Sequence, residues 1–167
     1  LEIFSDREEK IGNLSIIGRK ADTLDAASAA STVSTISDPK DMLPYLEKAS
    51  FSVMPIDSGS GTRLKVIEAM AAGVVVIATK KAVEGLGLTP DTHYVEAETD
   101  AEFREAIKRC LKDPSASSSM AKVARQFIIE NLSPAAFRRD VHRTIWKALE
   151  QSRYQLQSSD TSTRWGN

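Results

Sequence analysis

The stretch from Asp57 to Gly73, DSGSGTRLKVIEAMAAG, joins a turn-forming segment directly to a helix-forming one. Gly59 and Gly61 permit backbone conformations and close approaches that a β-carbon would prevent. Residues 62–72 contain no helix breaker, so a helix is expected to begin immediately after the glycines. The unpaired N–H groups and the dipole at such a helix start suit a phosphate group.

Glu68 lies further along the same predicted helix. A carboxylate there could accept two hydrogen bonds from the vicinal hydroxyls of a ribose, so that phosphate and ribose sites together would describe a nucleotide. Simpler explanations exist for each feature alone. A glycine-rich turn before a helix is more often only a turn, and Glu68 could pair with Lys65 across one helical turn for about 0.2–0.5 kcal/mol. Arg63 and Lys65 by themselves are typical of solvated helix charges.

Short apolar runs alternate with helical patterns along the chain. LSIIG (residues 14–18), FSVMPI (51–56), VVVIAT (74–79) and a weaker HYVEA (93–97) are predicted strands. Strands that alternate with helices imply parallel pairing with right-handed crossovers, hence a doubly wound α/β sheet. Ligands of such sheets lie at the carboxyl ends of the strands, which is where the loop after FSVMPI is placed.

Helical patterns occupy the remaining segments. Asp38 followed by proline resembles an N-cap, Asp25–Ala30 suits a short helix, and Thr99 and Glu102 have the spacing of a capping box. A helix from Ser133 to Leu149 is expected to precede a polar, frayed end. The three C-terminal helical stripes are Phe103, Ala106, Ile107, Cys110 and Leu111; Met120, Val123, Ala124, Phe127 and Ile128; and Phe137, Val141, Ile145, Ala148 and Leu149.

The length of 167 residues predicts a single domain, and the composition is that of an ordinary globular protein. The formal charge of −1 gives no electrostatic argument for nucleic acid or an anionic membrane as the main partner. Cys110 is the sole cysteine, which excludes an internal disulfide and favours a cytosolic protein. It belongs to an apolar stripe and is expected to pack there. His93 and His142 are isolated in the sequence, and no cluster of metal-ligating residues is evident.

The segment from Met54 to Leu86 resembles the signature region of the C-terminal, donor-binding domain of GT-B-type glycosyltransferases, with most similarity to the group 1 family of retaining enzymes. A weaker resemblance extends from about Leu1 to Asn131. The matching positions are Pro55, Gly59, Gly61, Thr62, Arg63, Leu64, Lys65, Glu68, Ala69, Met70, Gly73, Val76, Thr79, Glu84, Gly85 and Leu86.

The resemblance implies a nucleotide-diphospho-sugar donor, bound between two Rossmann-like domains, with no metal or other cofactor. The donor-binding residues that it implies are Gly59, Ser60, Gly61, Thr62 and Glu68, and it assigns no catalytic residue within the chain. Glu68 corresponds to the second glutamate of a pair separated by seven residues, the one that binds the ribose. Ser60 occupies the first position. The backbone of Gly61 and Thr62 would face the diphosphate or the sugar.

One departure from the family pattern concerns the residues that hold the diphosphate. The family holds the diphosphate with an arginine and a lysine after the opening strand of the domain, and by the resemblance we expect this chain to begin within the helix that follows that strand. Arg19 and Lys20, at another strand end, are candidate replacements, and Arg63 and Lys65 are further candidate phosphate contacts. The missing strand is central in the order 3-2-1-4-5-6. We therefore expect either a larger protein or another segment that fills its place, because unpaired apolar strand edges are avoided.

The resemblance also divides the chain. Residues 1–131 would form the nucleotide-sugar-binding domain, residues 132–150 a helix that crosses toward an acceptor-binding N-terminal domain outside this chain, and residues 151–167 a polar tail. We expect a cytoplasmic location, with peripheral membrane contact left open. Three arginines of the crossing helix could face that domain or a phospholipid surface, although a solvated face is the simpler interpretation. They are Arg138, Arg139 and Arg143.

Two other functions stay open at this point. One is a nucleotide-sugar epimerase of the same architecture, which would need acid/base residues that the sequence does not place near the cleft. The other is a non-catalytic interaction module that retains the fold. Ser60 and the missing basic pair favour the module, whereas Glu68 within an otherwise matching loop argues against it.

Overall fold

The computed structural model describes residues 12–23, 33–59 and 63–162. The chain divides into two compact units, Leu1–Ile128 and Ile129–Asn167. The predicted α-helix at Asp25–Ala30 lies outside the described residues. The boundaries predicted from the sequence for the donor domain, the crossing helix and the tail stay predictions.

The described strands of the first unit form two parallel sheets. Strand β1 (Leu14–Gly18) pairs with β2 (Val33–Ser37), and the second sheet has the order β3 (Phe51–Met54), β4 (Val75–Ala78), β5 (Val95–Glu96). The parallel α/β architecture predicted from the alternating pattern is confirmed. Among the described strands no hydrogen-bonded pairing joins the two sheets, and the segment expected between them stays a prediction.

Helices alternate with the strands of the first unit, as parallel strand pairing requires. A short 3-10 turn spans Ala21–Thr23. The α-helices are α1 (Leu43–Leu46), α2 (Leu64–Ala71), α3 (Lys80–Val83), α4 (Asp100–Lys112), α5 (Pro114–Asn131) and α6 (Pro134–Ser162).

The hydrophobic core is centred on β4, whose four residues are all buried. Strands β4 and β5 pack there with one side of α4 and the start of α5, as expected for apolar runs of a parallel sheet covered by helices. The buried members of this cluster are Val75, Ile77, Val95, Ala97, Phe103, Ala106, Ile107, Cys110 and Ala121. Leu111, which was predicted to belong to the α4 stripe, is exposed instead.

Helix α5 faces the core with most of its predicted stripe: Ala124 and Ile128 are buried, and Met120 and Phe127 are half-buried. Val123 is exposed, whereas Ala121, Ala124 and Ile128 are buried. The inclusion of Val123 in the stripe was therefore wrong, and Ala121, which the stripe left out, belongs to the core. Alanines at the contact let a helix approach its neighbours closely, and hydrophobicity alone does not reveal this preference.

The helix after β2 begins later than predicted. Asp38 is not an N-cap, because it adopts a left-handed conformation (φ 46°) just beyond the strand. Helix α1 starts at Leu43, whose N–H donates to the Asp41 carboxylate at 2.9 Å. Pro44 occupies the first turn, where its fixed φ is compatible with the helix and its missing N–H would have had no partner within the helix.

Two predicted helix termini are confirmed in atomic detail. At the start of α4, Thr99 Oγ1 accepts the N–H of Glu102 (3.3 Å) and Glu102 Oε2 accepts the N–H of Thr99 (2.9 Å), which completes a capping box. After α2, Gly73 has a φ of 82° and donates to the carbonyl of Met70 at 2.9 Å. The N–H of Val74 reaches back to Ala69, as in a Schellman motif.

The second unit contains α6, which runs past the predicted end at Leu149 to Ser162. Neither glycine nor proline occurs between Ala135 and Trp165, so nothing in the sequence stops the helix earlier. The helix carries a series of exposed apolar side chains: Phe137, Val141, Ile145, Trp146 and Leu149. No helix within the described part of the chain is long and apolar enough to cross a membrane.

Candidate functional site

The glycine loop connects the carboxyl end of β3 to α2. Its described part includes Gly59, which has a φ of 130° that residues with side chains rarely adopt. The predicted donor-binding residues Ser60, Gly61 and Thr62 lie outside the described residues. Arg63 is the N-cap of α2, but its side chain makes no capping hydrogen bond. The start of α2 is therefore not capped by its own N-cap side chain.

Lys65 connects this region to the other sheet. Its Nζ lies 3.7 Å from the position that a β-carbon on Gly18 would occupy. Gly18 ends β1, and the exposed residues Arg19 and Lys20 follow it directly. The chain turns at Lys20, whose carbonyl accepts the N–H (3.1 Å) and the hydroxyl (2.8 Å) of Thr23. The structure thus brings Lys65 beside the segment that carries two of the other predicted phosphate contacts, Arg19 and Lys20.

Glu68 is exposed on α2. The alternative that it merely pairs with Lys65 finds no support, since the described residues show no ion pair between these two side chains. Contact of Glu68 with a ribose stays a prediction.

Arg63 is not a solvated helix charge, because its side chain is only 10% exposed. Its Nη2 donates to the carbonyl oxygen of Gly59 and to Oε2 of Glu84, both at 3.2 Å. The same carboxylate oxygen lies 2.6 Å from Lys81 Nζ. The nearby Lys81 ammonium, and to a lesser extent Arg63, lowers the pKa of Glu84 below its usual value. Sequence reasoning assigned Glu84 no role, although it was one of the positions matching the family.

Thr79 links the start of the glycine loop to α3. Its side chain is buried, donates to the carbonyl oxygen of Ile56 at 2.6 Å and accepts the N–H of Ala82 at 3.1 Å. It is thus both the N-cap of α3 and a fixed point for the loop. The available signals were its place at the end of the predicted strand VVVIAT and among the positions that match the family.

The two histidines and the cysteine make contacts within the fold: they are His93, His142 and Cys110. Nδ1 of His93 accepts the N–H of Thr89 at 2.9 Å, and burial lowers the pKa of this imidazole. The His142 ring makes an edge contact with Trp146. Burial raises the pKa of the Cys110 thiol. The described residues contain no group of three side chains that could hold a metal ion.

A cavity of about 330 Å³ lies at the opposite end of the β3–β4 pair. Phe51 and Val75, the first residues of these strands, line it together with Gly73 and Cys110. The cavity therefore lies at the amino ends of these strands. The predicted site lies at their carboxyl ends, where doubly wound sheets bind ligands, so the two are separate.

Comparisons with known proteins agree with this architecture. Residues 3–113 match the family described as "Glycosyl transferases group 1". The fold matches the crystal structure of the C-terminal domain of a group 1 family glycosyl transferase, LpcC, from Francisella tularensis, with a TM-score of 0.58 and 17% identity. The match covers 68% of this chain and 60% of that one, so the chain spans less than two thirds of its structural relative. No significant match was found among curated proteins.

The fold is therefore the α/β, Rossmann-like architecture of a GT-B C-terminal domain, as the resemblance implied. The family match includes the glycine loop, Lys65, Glu68 and Glu84, and it extends over about two thirds of the 167 residues. The chain belongs to the group 1 glycosyl transferase family.

Proposed function

We propose that this chain is the donor-binding part of a glycosyltransferase that moves a sugar from a nucleoside diphosphate to an acceptor. The main support is the position of the family's loop and of α2 at the carboxyl end of β3, where Lys65 extends to the end of β1. Parallel α/β sheets bind nucleotides at this edge. The family match supplies the reaction class, and the geometry supplies a basic region suited to a diphosphate.

The proposed roles follow from charge. Backbone N–H groups of residues 59–62 would contact the diphosphate or the sugar, and Lys65, Arg19 and Lys20 would neutralise the phosphates. Glu68 would accept hydrogen bonds from the ribose hydroxyls. In the transfer step the bond between the sugar's anomeric carbon and the diphosphate oxygen breaks while a bond to the acceptor forms. The departing diphosphate gains negative charge, which these cations and N–H dipoles stabilise, and we propose that no metal ion is required.

The acceptor and the group that receives its proton belong, in this proposal, to an N-terminal acceptor-binding domain. The solved relative, which is itself a C-terminal domain, supports a multidomain arrangement. We propose a cytoplasmic location, supported by the single, buried Cys110.

Calorimetric titration of the complete protein with UDP, GDP, ADP, CDP and dTDP tests the proposal. We expect one of these nucleoside diphosphates to bind more tightly than the others, and that preference would identify the donor. If the complete protein binds none of them, the proposed function is wrong.

Substitution of Glu68 tests the ribose contact. We expect Glu68→Ala to weaken binding of the preferred nucleoside diphosphate by about tenfold to a hundredfold, because two hydrogen bonds to a carboxylate are lost. Affinity is measured by calorimetry and folding by thermal unfolding. Glu105→Ala, which removes an exposed glutamate from α4, is the matched control and should bind normally. Unchanged affinity in Glu68→Ala would instead favour a non-catalytic module that retains only the fold.

A further inference from the structure

Arg63 joins the two described ends of the glycine loop. It follows the loop, yet its Nη2 donates to the carbonyl oxygen of Gly59, 3.2 Å away. A guanidinium withdrawn from water requires acceptors for its N–H groups, since an unpaired buried charge is costly. The loop backbone provides one acceptor, and Glu84 provides the other. The side chain of Arg63 is therefore engaged within the protein and does not extend freely into solvent.

Glu84 supplies its carboxylate from a distant part of the chain, immediately after α3. Its side chain is 59% exposed, so packing does not fix its orientation. Two cations do so instead: Arg63 at 3.2 Å and Lys81 at 2.6 Å both bind the same oxygen. Charge-assisted hydrogen bonds of this kind are shorter and stronger than neutral ones. The Arg63–Glu84 pair thus links the glycine loop to the end of α3.

A second contact connects the same two segments. The buried Thr79, at the start of α3, donates to the carbonyl of Ile56 at 2.6 Å. The two ends of α3 therefore contact the two ends of the loop: Thr79 contacts Ile56 at the start of the loop, and Glu84 contacts Arg63 just after it. A four-residue helix is too short to be stable alone, so these contacts orient the loop and the helix mutually.

We propose that Glu84 is a positioning residue for donor binding: through Arg63 it holds the backbone carbonyl of Gly59, at the described end of the glycine loop, and it touches no ligand atom itself. This inference rests on the proposed function. It also revises the role of Arg63, which the sequence suggested as a phosphate contact and which the geometry favours as the connecting group. Backbone N–H groups bind a diphosphate effectively only when they are oriented beforehand.

The sign of the effect of Glu84→Gln distinguishes positioning from simple charge. If Glu84 acted only through its negative charge, the substitution would remove repulsion and release Arg63 toward the phosphates, so a nucleoside diphosphate would bind more tightly. If Glu84 positions the loop, binding weakens, by about tenfold for a misaligned backbone site. The affinity of the corresponding nucleoside, which lacks phosphates, should change less than twofold because its site on Glu68 is untouched.

Calorimetry on the complete protein measures these affinities, with thermal unfolding as the check of folding. Asp91→Asn is the matched control, because it removes another exposed carboxylate–arginine pair, to Arg109 at 2.8 Å, away from the loop. The double variant Arg63→Met with Glu84→Gln should bind no more weakly than Arg63→Met alone, since the pair acts as a unit. Glu84→Asp, which keeps the charge, should recover part of the affinity and serves if the glutamine variant does not fold.

Equal or tighter diphosphate binding by a folded Glu84→Gln protein would overturn the inference while the wild type still supports the proposed function. Equal loss of nucleoside and diphosphate binding would also overturn it, because a general structural defect would then be the cause. If the wild type binds no nucleoside diphosphate, the proposed function fails first, and the positioning role fails with it.

Discussion

At the scale of single residues, Lys65 lies where two parts of the predicted site come close to each other. It projects from α2, yet its ammonium lies beside Gly18 at the end of β1. Residues that follow β1 contribute Arg19 and Lys20 to the same region. A basic group located between the ends of two sheets can interact with an anion that both of them contact.

We expect Lys65→Gln to weaken nucleoside diphosphate binding by about fivefold, since one unit charge near a phosphate contributes about 1 kcal/mol in a water-exposed site. The loss should shrink at high salt, because screening reduces the contribution of Lys65 in the wild type. Calorimetry at two salt concentrations measures both effects. Lys122→Gln, which removes an exposed lysine from α5, is the matched control. A loss that does not depend on salt would argue against a phosphate contact.

Residue types alone supplied candidates for this site but not the hydrogen bonds between its residues. The glycines, Glu68 and Lys65 were identified because their types and spacing carry chemical meaning. The contact of Arg63 with Glu84 spans 21 positions of the chain, and no local pattern encodes a pairing at that separation. Thr79 was missed for a related reason, since its importance comes from the carbonyl of Ile56, which every residue type possesses.

At the scale of elements, the sequence predicted helix ends best where the capping hydrogen bonds join residues that are close in the chain. The capping box of α4 and the glycine after α2 were predicted correctly because each involves residues within one turn of the helix end. The start of α1 was misplaced because Asp38 and Asp41 are both plausible caps; Asp38 adopts a left-handed conformation, and the N–H of Leu43 is accepted by Asp41 instead. Val123 was misassigned because apolar spacing does not specify how far around a helix the covered side extends.

We expect Thr99→Ala to lower the free energy of unfolding by about 1 kcal/mol, because the N–H of Glu102 loses its acceptor at the start of α4. Urea unfolding followed by circular dichroism measures this change. Thr99→Ser keeps the hydroxyl and should remain within a few tenths of a kcal/mol of the wild type. If the serine variant is destabilised as much as the alanine variant, packing of the threonine methyl group is responsible and the capping account is wrong.

At the scale of the whole molecule, the order of strands and helices was sufficient to predict parallel sheets, and the family match confirmed the class. The surroundings of α6 were not predictable in the same way. Its apolar residues recur at helical spacing, yet Phe137 is 70% exposed and Ile145 is also exposed. Periodicity reports which residues share a side of a helix, whereas the presence of a covering surface depends on the rest of the molecule.

The unequal burial of the two sheets has a consequence for their local opening. Every residue of β4 is buried, whereas no residue of β1 or β2 is fully buried. Because opening free energy rises with buried apolar contact, the amide hydrogens of β1 and β2 should exchange with deuterium sooner than those of β4. A nucleoside diphosphate that contacts residues following β1 should selectively slow the β1 and β2 amides, which mass spectrometry of peptic fragments can detect. Equal protection of both sheets by the ligand would contradict this, and selective protection would make the less stable sheet the part of the fold that responds to the donor.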